Sequence, residues 1–93
     1  MQDKITKEKL AKYFKVTETA LVEVKKNIFK DKEKEAKEII DMSQNYVSDA
    51  HHFEQKKDYV DAFAALNYAH GWIDSGVRLK VFDVKDNKLF TVC

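Results

Sequence analysis

Apolar residues recur along this chain at helical spacing in three successive stretches. In the first, from residue 6 to about 29, Leu10, Phe14, Leu21, Val24 and Ile28 stand three, four or seven positions apart, with Thr17 in a polar slot of the same stripe. Such a near-heptad pattern predicts one amphipathic helix. The β-branched residues around Glu18 (Val16, Thr17, Thr19) lower helix propensity, so Thr17 is where the pattern allows a kink or a break.

The run KDKEKEAK, residues 30–37, carries no apolar side chain larger than Ala36. It reads as a solvated turn leading into a second helix over 32–55, with Asp31 as its N-cap. The stripe of that helix is Ala36, Ile39, Ile40, Tyr46, Val47, Ala50 and Phe53. Asp58, followed by Asp61, has the form of an N-cap with an acidic first turn and opens a third helix over 58–80. Residues 81–93 form a tail in which two strand-prone flanks surround Lys85-Asp86-Asn87; a hairpin and an extended strap over the helices are both compatible with it. Either must pack Phe82, Leu89 and Phe90 against something. The expected architecture is all-α: one domain over residues 1–93, an antiparallel three-helix bundle with a short C-terminal extended segment or hairpin.

The third stretch is apolar on more than one side. At about 100° per residue, Tyr59, Ala62, Phe63, Leu66, Ala69, Ile73 and Val77 fall on one face, with His70 in its middle. The opposite face holds Ala64, Ala65, Tyr68, Trp72, Ser75, Gly76 and Leu79. Only a strip of Asn67, Asp74 and Arg78 is built for water. A helix of a three-helix bundle buries one stripe, so Tyr68, Trp72 and Leu79 call for a cover of their own, either the tail or a second copy of the chain. Gly71 and Gly76 each weaken a helix by about 1 kcal/mol relative to Ala, which points to a close approach by something.

Composition supports helices and excludes several functions. Of 93 residues, none is Pro and two are Gly, too few turn formers for a many-stranded sheet. Basic and acidic residues number 17 and 16, for a net charge of +1, and the signs are interleaved. Such a surface has no field to recruit nucleic acid or an anionic membrane, and Arg78 is the sole arginine available for phosphate reading. No apolar run is long enough to span a bilayer, and the charged N-terminus is unlike a signal peptide. With Cys93 as the one cysteine, no intrachain disulfide can form, and the expected setting is the cytoplasm.

Candidate chemistry is sparse. His70 and Asp74, at i and i+4, could form an oriented or switchable pair, but no nucleophile stands at a spacing that completes a triad. Asp49, His51 and His52 invite a metal reading, yet adjacent histidines point about 100° apart on a helix and cannot serve one ion together. Asp58 and Asp61 are accounted for at the helix start, and Asp74 with Arg78 forms an ordinary i, i+4 pair. There is no glycine-rich phosphate loop and no cysteine pair for zinc, so neither a cofactor, a metal nor a catalytic residue is assigned.

The run from Tyr68 to Leu79, YAHGWIDSGVRL, with MSQNYVSDAHHF (residues 42–53) before it and Phe82-Asp83-Val84 behind, resembles the archaeal domain-of-unknown-function family numbered three hundred and fifty-seven. The specific part is the spacing of Gly71-Trp72, Asp74, Gly76 and Arg78. The resemblance implies a short archaeal cytoplasmic protein with a helical bundle fold, and it carries over no catalytic residue. Lys80 departs from it, standing where a small residue is expected. A likeness to RNA-cleaving HEPN-type domains fails on order, because Arg78 follows His70 in the chain.

Two functional readings follow. The first is a small non-enzymatic interaction module that self-associates or docks an unknown protein partner through Tyr68, Trp72 and Leu79. The alternative is a ligand-binding or catalytic accessory domain using a polar notch at Asn67, His70, Asp74 and Arg78.

Overall fold

In the computed structural model, which describes residues 5–85, three helices pack as an antiparallel bundle: α1 Lys7–Lys26, α2 Glu33–Gln55 and α3 Tyr59–Arg78. No strand forms among the described residues, although one isolated antiparallel bridge joins Ile28 to Phe82. The chain is continuous helix through Thr17, so the β-branched run does not break α1. Burial explains why: Thr17 is 3% exposed, and tertiary packing outweighs its weak propensity.

α1 ends at Lys26 instead of reaching residue 29. The Phe29 N–H donates to the Val81 carbonyl at 2.9 Å, and the Asp83 N–H donates to the Asn27 carbonyl at 2.7 Å. This pairing draws residues 27–29 out of helical geometry and ties them to the segment after α3. Asp31 is not the N-cap of α2. It sits in the left-handed region at φ 70°, inside a turn closed by the Lys32 N–H on the Phe29 carbonyl at 3.1 Å. The N-cap is Lys32, which makes no side-chain cap bond. Asp31 serves the turn because a short polar residue tolerates positive φ better than most. Asp58 does cap α3, accepting from the Asp61 N–H at 3.2 Å.

The last two helix ends share one device. After α2, the Lys57 N–H donates to the Glu54 carbonyl and the Asp58 N–H to the Phe53 carbonyl. After α3, the Lys80 N–H donates to the Val77 carbonyl and the Val81 N–H to the Gly76 carbonyl. Both are Schellman closures, and both place a lysine at positive φ, 62° for Lys57 and 63° for Lys80, where glycine is the usual occupant. Lys80 is the position at which the sequence departs from its family resemblance.

Among the described residues the core has two clusters. One gathers Leu10, Phe14, Val47, Ala50, Ala62, Ala65, Leu66 and Ala69; the other gathers Ala20, Leu21, Val24, Ala36, Ile39, Ile73, Val77, Val81 and Phe82. Polar Thr17 and Ser43 are also buried, and the Ser43 hydroxyl donates to the Ile39 carbonyl at 2.8 Å and lies 3.4 Å from the Ala69 carbonyl of α3. α3 packs most extensively on α2.

The buried arc of α3 differs from the hydropathy wheel. Ala65 and Gly76 belong to the core, while Tyr59 and Phe63 are half-buried and His70 sits at the edge with 24% of its side chain exposed. Small residues Ala62, Ala65, Ala69 and Gly76 are all buried in this arc, with Gly76 against Phe82 and Ile39 of α2, so the arc includes positions of little hydropathy that a wheel underrates. Val81 and Phe82 are buried, and the chain beyond them is described to Lys85. The choice between a hairpin around Lys85-Asp86-Asn87 and an extended strap, and the packing of Leu89 and Phe90, falls on residues 86–93, outside the described residues.

Candidate interaction face on the third helix

With its small-residue arc turned to α2, α3 presents its other side outward. Tyr68 is 64%, Trp72 37% and Leu79 70% exposed, so residues 81–85 do not cover them. Tyr68 lies against Tyr46 of α2 with stacked rings 5.5 Å apart, which fixes one edge of the face. Val60, 58% exposed, extends the same side to the first turn of α3. The sequence reading missed it, although its spacing of four from Ala64 places it on that side.

The two glycines of α3 do different work. A Cβ on Gly71 would meet nothing within 4 Å, whereas one on Gly76 would meet Phe82 ring carbons at 2.5 and 2.7 Å. The close approach anticipated at Gly76 is made by Phe82 of the same chain. Gly71 instead leaves a bare floor between Tyr68 and Trp72, in a groove of about 380 Å³ that Asn67 and Ser75 complete. This is a shallow, open depression beside two aromatic side chains.

The polar residues divide. Asn67, His70 and Asp74 come together in a groove of about 320 Å³ between α1 and α3, beside Tyr13, Val16, Thr17 and Leu66. His70 Nε2 lies 3.6 Å from Asp74 Oδ1, with both side chains about three-quarters buried. Arg78 lies apart from them, near the end of α3 with Phe29, Lys80 and Asp83. Asn67 and Gly71 line both grooves, so the polar group forms a border to the aromatic face.

Of the charged residues of α3, Asp74 sits beside His70 and the others lie near its ends. Asp58 and Asp61 stand at the start, and the Asp61 carboxyl is held above the usual carboxylate range by its side-chain hydrogen bond with Asp58 and then by the charge of that neighbour. Arg78 stands in the last turn. Elsewhere, His51 stacks on Phe14 with ring centroids 4.2 Å apart, and its Nε2 lies 3.1 Å from Glu18 Oε2, joining α2 to α1. Among the described residues no three His, Cys, Asp or Glu side chains gather as a metal site, and no helix is long and apolar enough to cross a membrane.

Fold and surface together define a small three-helix bundle that, among the described residues, carries an exposed aromatic face on α3. Residues 12–82 match the sequence model of a family described as "Protein of unknown function (DUF357)", and the chain belongs to that family. No curated protein and no solved structure matches it.

Proposed function

We propose that this protein is a non-enzymatic, cytoplasmic interaction module that docks a protein helix on the outward face of α3. The observation that carries the reading is the juxtaposition of exposed Tyr68 and Trp72 with the bare backbone at Gly71. Aromatic anchors beside a pocket, bordered by polar groups, are the usual composition of a protein-binding surface. Asn67, His70 and Asp74 supply that border on one side and Arg78 at one end; no catalytic role falls to any of them in this reading.

Photo-crosslinking in the native host tests it. A benzophenone side chain at position 68 should give an adduct of one defined mass, lost when Trp72→Ala is added, while the same group at Lys34 on the charged face of α2 should give none. Absence of any adduct at position 68, or equal adducts at both positions, would overturn the reading.

A further inference from the structure

The exposed face of α3 is complementary to itself when reversed. In an antiparallel pair of identical helices related by a two-fold axis, each residue faces the one equally far from the axis on the other helix. An axis between positions 69 and 70 of α3 sets Asp61 of one copy against Arg78 of the other. The same axis sets exposed Val60 against exposed Leu79, and Tyr68 against Gly71, where an added Cβ would meet nothing within 4 Å. One operation therefore satisfies charge, apolar contact and knob-into-hole shape.

We infer that the occupant of this face is a second copy of the chain, docked antiparallel along α3 with Tyr68 of each copy seated over Gly71 of the other and Asp61 paired with Arg78 at both ends. The inference rests on the reading of this face as the docking surface. Charge argues for the direction. A parallel pair would place Asp61 on Asp61 and Arg78 on Arg78, and would set the Gly71 hole opposite another hole. Among the described residues neither the Asp61 carboxylate nor the Arg78 guanidinium makes an ion pair within 4.0 Å; Arg78 is exposed, and the Asp61 carboxyl, though hydrogen-bonded to Asp58, is exposed as well and has no cation beside it. The two ends lie about 25 Å apart along the helix, so each of the two ion pairs is bound by its own local geometry. The contact is one helix wide, smaller than a standard stable interface, and association in the micromolar range is expected.

Sedimentation equilibrium of the purified full chain, with Cys93→Ser to prevent disulfide dimers, tests the inference. Wild type should dimerise. Asp61→Arg alone and Arg78→Asp alone should each weaken dimerisation about tenfold, because each turns both ion pairs into repulsions. The double variant, and an equimolar mixture of the two single variants, should restore it. Gly71→Gln, whose Cβ has open space and whose longer side chain occupies the gap beside Tyr68 and Trp72, should weaken dimerisation with no loss of helical content by circular dichroism.

A wild-type monomer at high micromolar concentration overturns the second copy as occupant; if position 68 still crosslinks to a different protein, the docking reading stands without it. A dimer insensitive to both single charge changes, or one that the double variant fails to restore, overturns the antiparallel register. A monomer with no crosslink at position 68 overturns both readings.

Discussion

The ring of Phe82 lies against the backbone of Gly76, its Cε2 only 2.5 Å from where a Cβ would stand. Phe82 is 1% exposed and its backbone is bridged to Ile28, so the ring cannot swing clear cheaply. Gly76→Ala gains about 1 kcal/mol of helix propensity but forces an overpacked core, which costs about 1 to 3 kcal/mol. Net destabilisation is expected, read as a lower midpoint in urea. With Phe82→Leu as a second change, the penalty of Gly76→Ala should shrink, because the two side chains compete for one volume.

Phe82 is the largest fully buried side chain among the described residues and packs in the cluster with Ile39, Ile73 and Val77. Phe82→Ala should cost about 3 to 5 kcal/mol. It should also release residues 27–29, since the Phe29 and Asp83 backbone bonds depend on the same seat. Hydrogen exchange checks this as lost protection at both amides.

Gly71 gives the opposite result. Its missing Cβ has open space, so Gly71→Ala should stabilise the isolated protomer by about 0.8 to 1 kcal/mol through helix propensity alone. Thermal unfolding at low micromolar concentration, where self-association contributes little, measures the gain.

Lys57 and Lys80 hold positive φ in the two Schellman closures. Lys57→Gly and Lys80→Gly should each stabilise the fold by about 1 kcal/mol, because the left-handed conformation strains a residue that has a Cβ. The sites are far apart in the chain and each closes its own helix, so the gains should add in the double variant.

Acid titration follows from Asp61. Its carboxyl is raised in the folded protein by the hydrogen bond with Asp58 and by that carboxylate's charge. Between the ordinary value and the raised one, the folded state binds more protons than the unfolded state, so this group's contribution to stability falls as pH rises through that window. Relative to Asp61→Asn, wild type should gain stability on acidification across the window and hold a constant difference above it. Melting temperatures of the two proteins from about pH 3 to 7 check the sign.

The sequence by itself determined the three helical stretches, the Asp58 cap and the surplus of apolar side chains on α3. These are local properties, written in spacings of three and four residues and in the chemistry of single positions. It also carried the family resemblance, in the spacing of Gly71, Trp72, Asp74, Gly76 and Arg78. Tertiary structure decided which side of α3 faces inward. Ala62, Ala65, Ala69 and Gly76 contribute little hydropathy, yet all four are buried, Gly76 under the ring of Phe82, and this rotation moved His70 to the edge and left Tyr68, Trp72 and Leu79 outside. It decided, too, that α1 stops at Lys26 and that Asp31 turns the chain instead of capping α2. Both depend on backbone bonds between residues 27–29 and 81–83, partners too distant in the chain for any local pattern to link. The two glycines of α3 look alike on a wheel, and only packing separates them: Phe82 occupies the space beside Gly76, while the space above Gly71 is open.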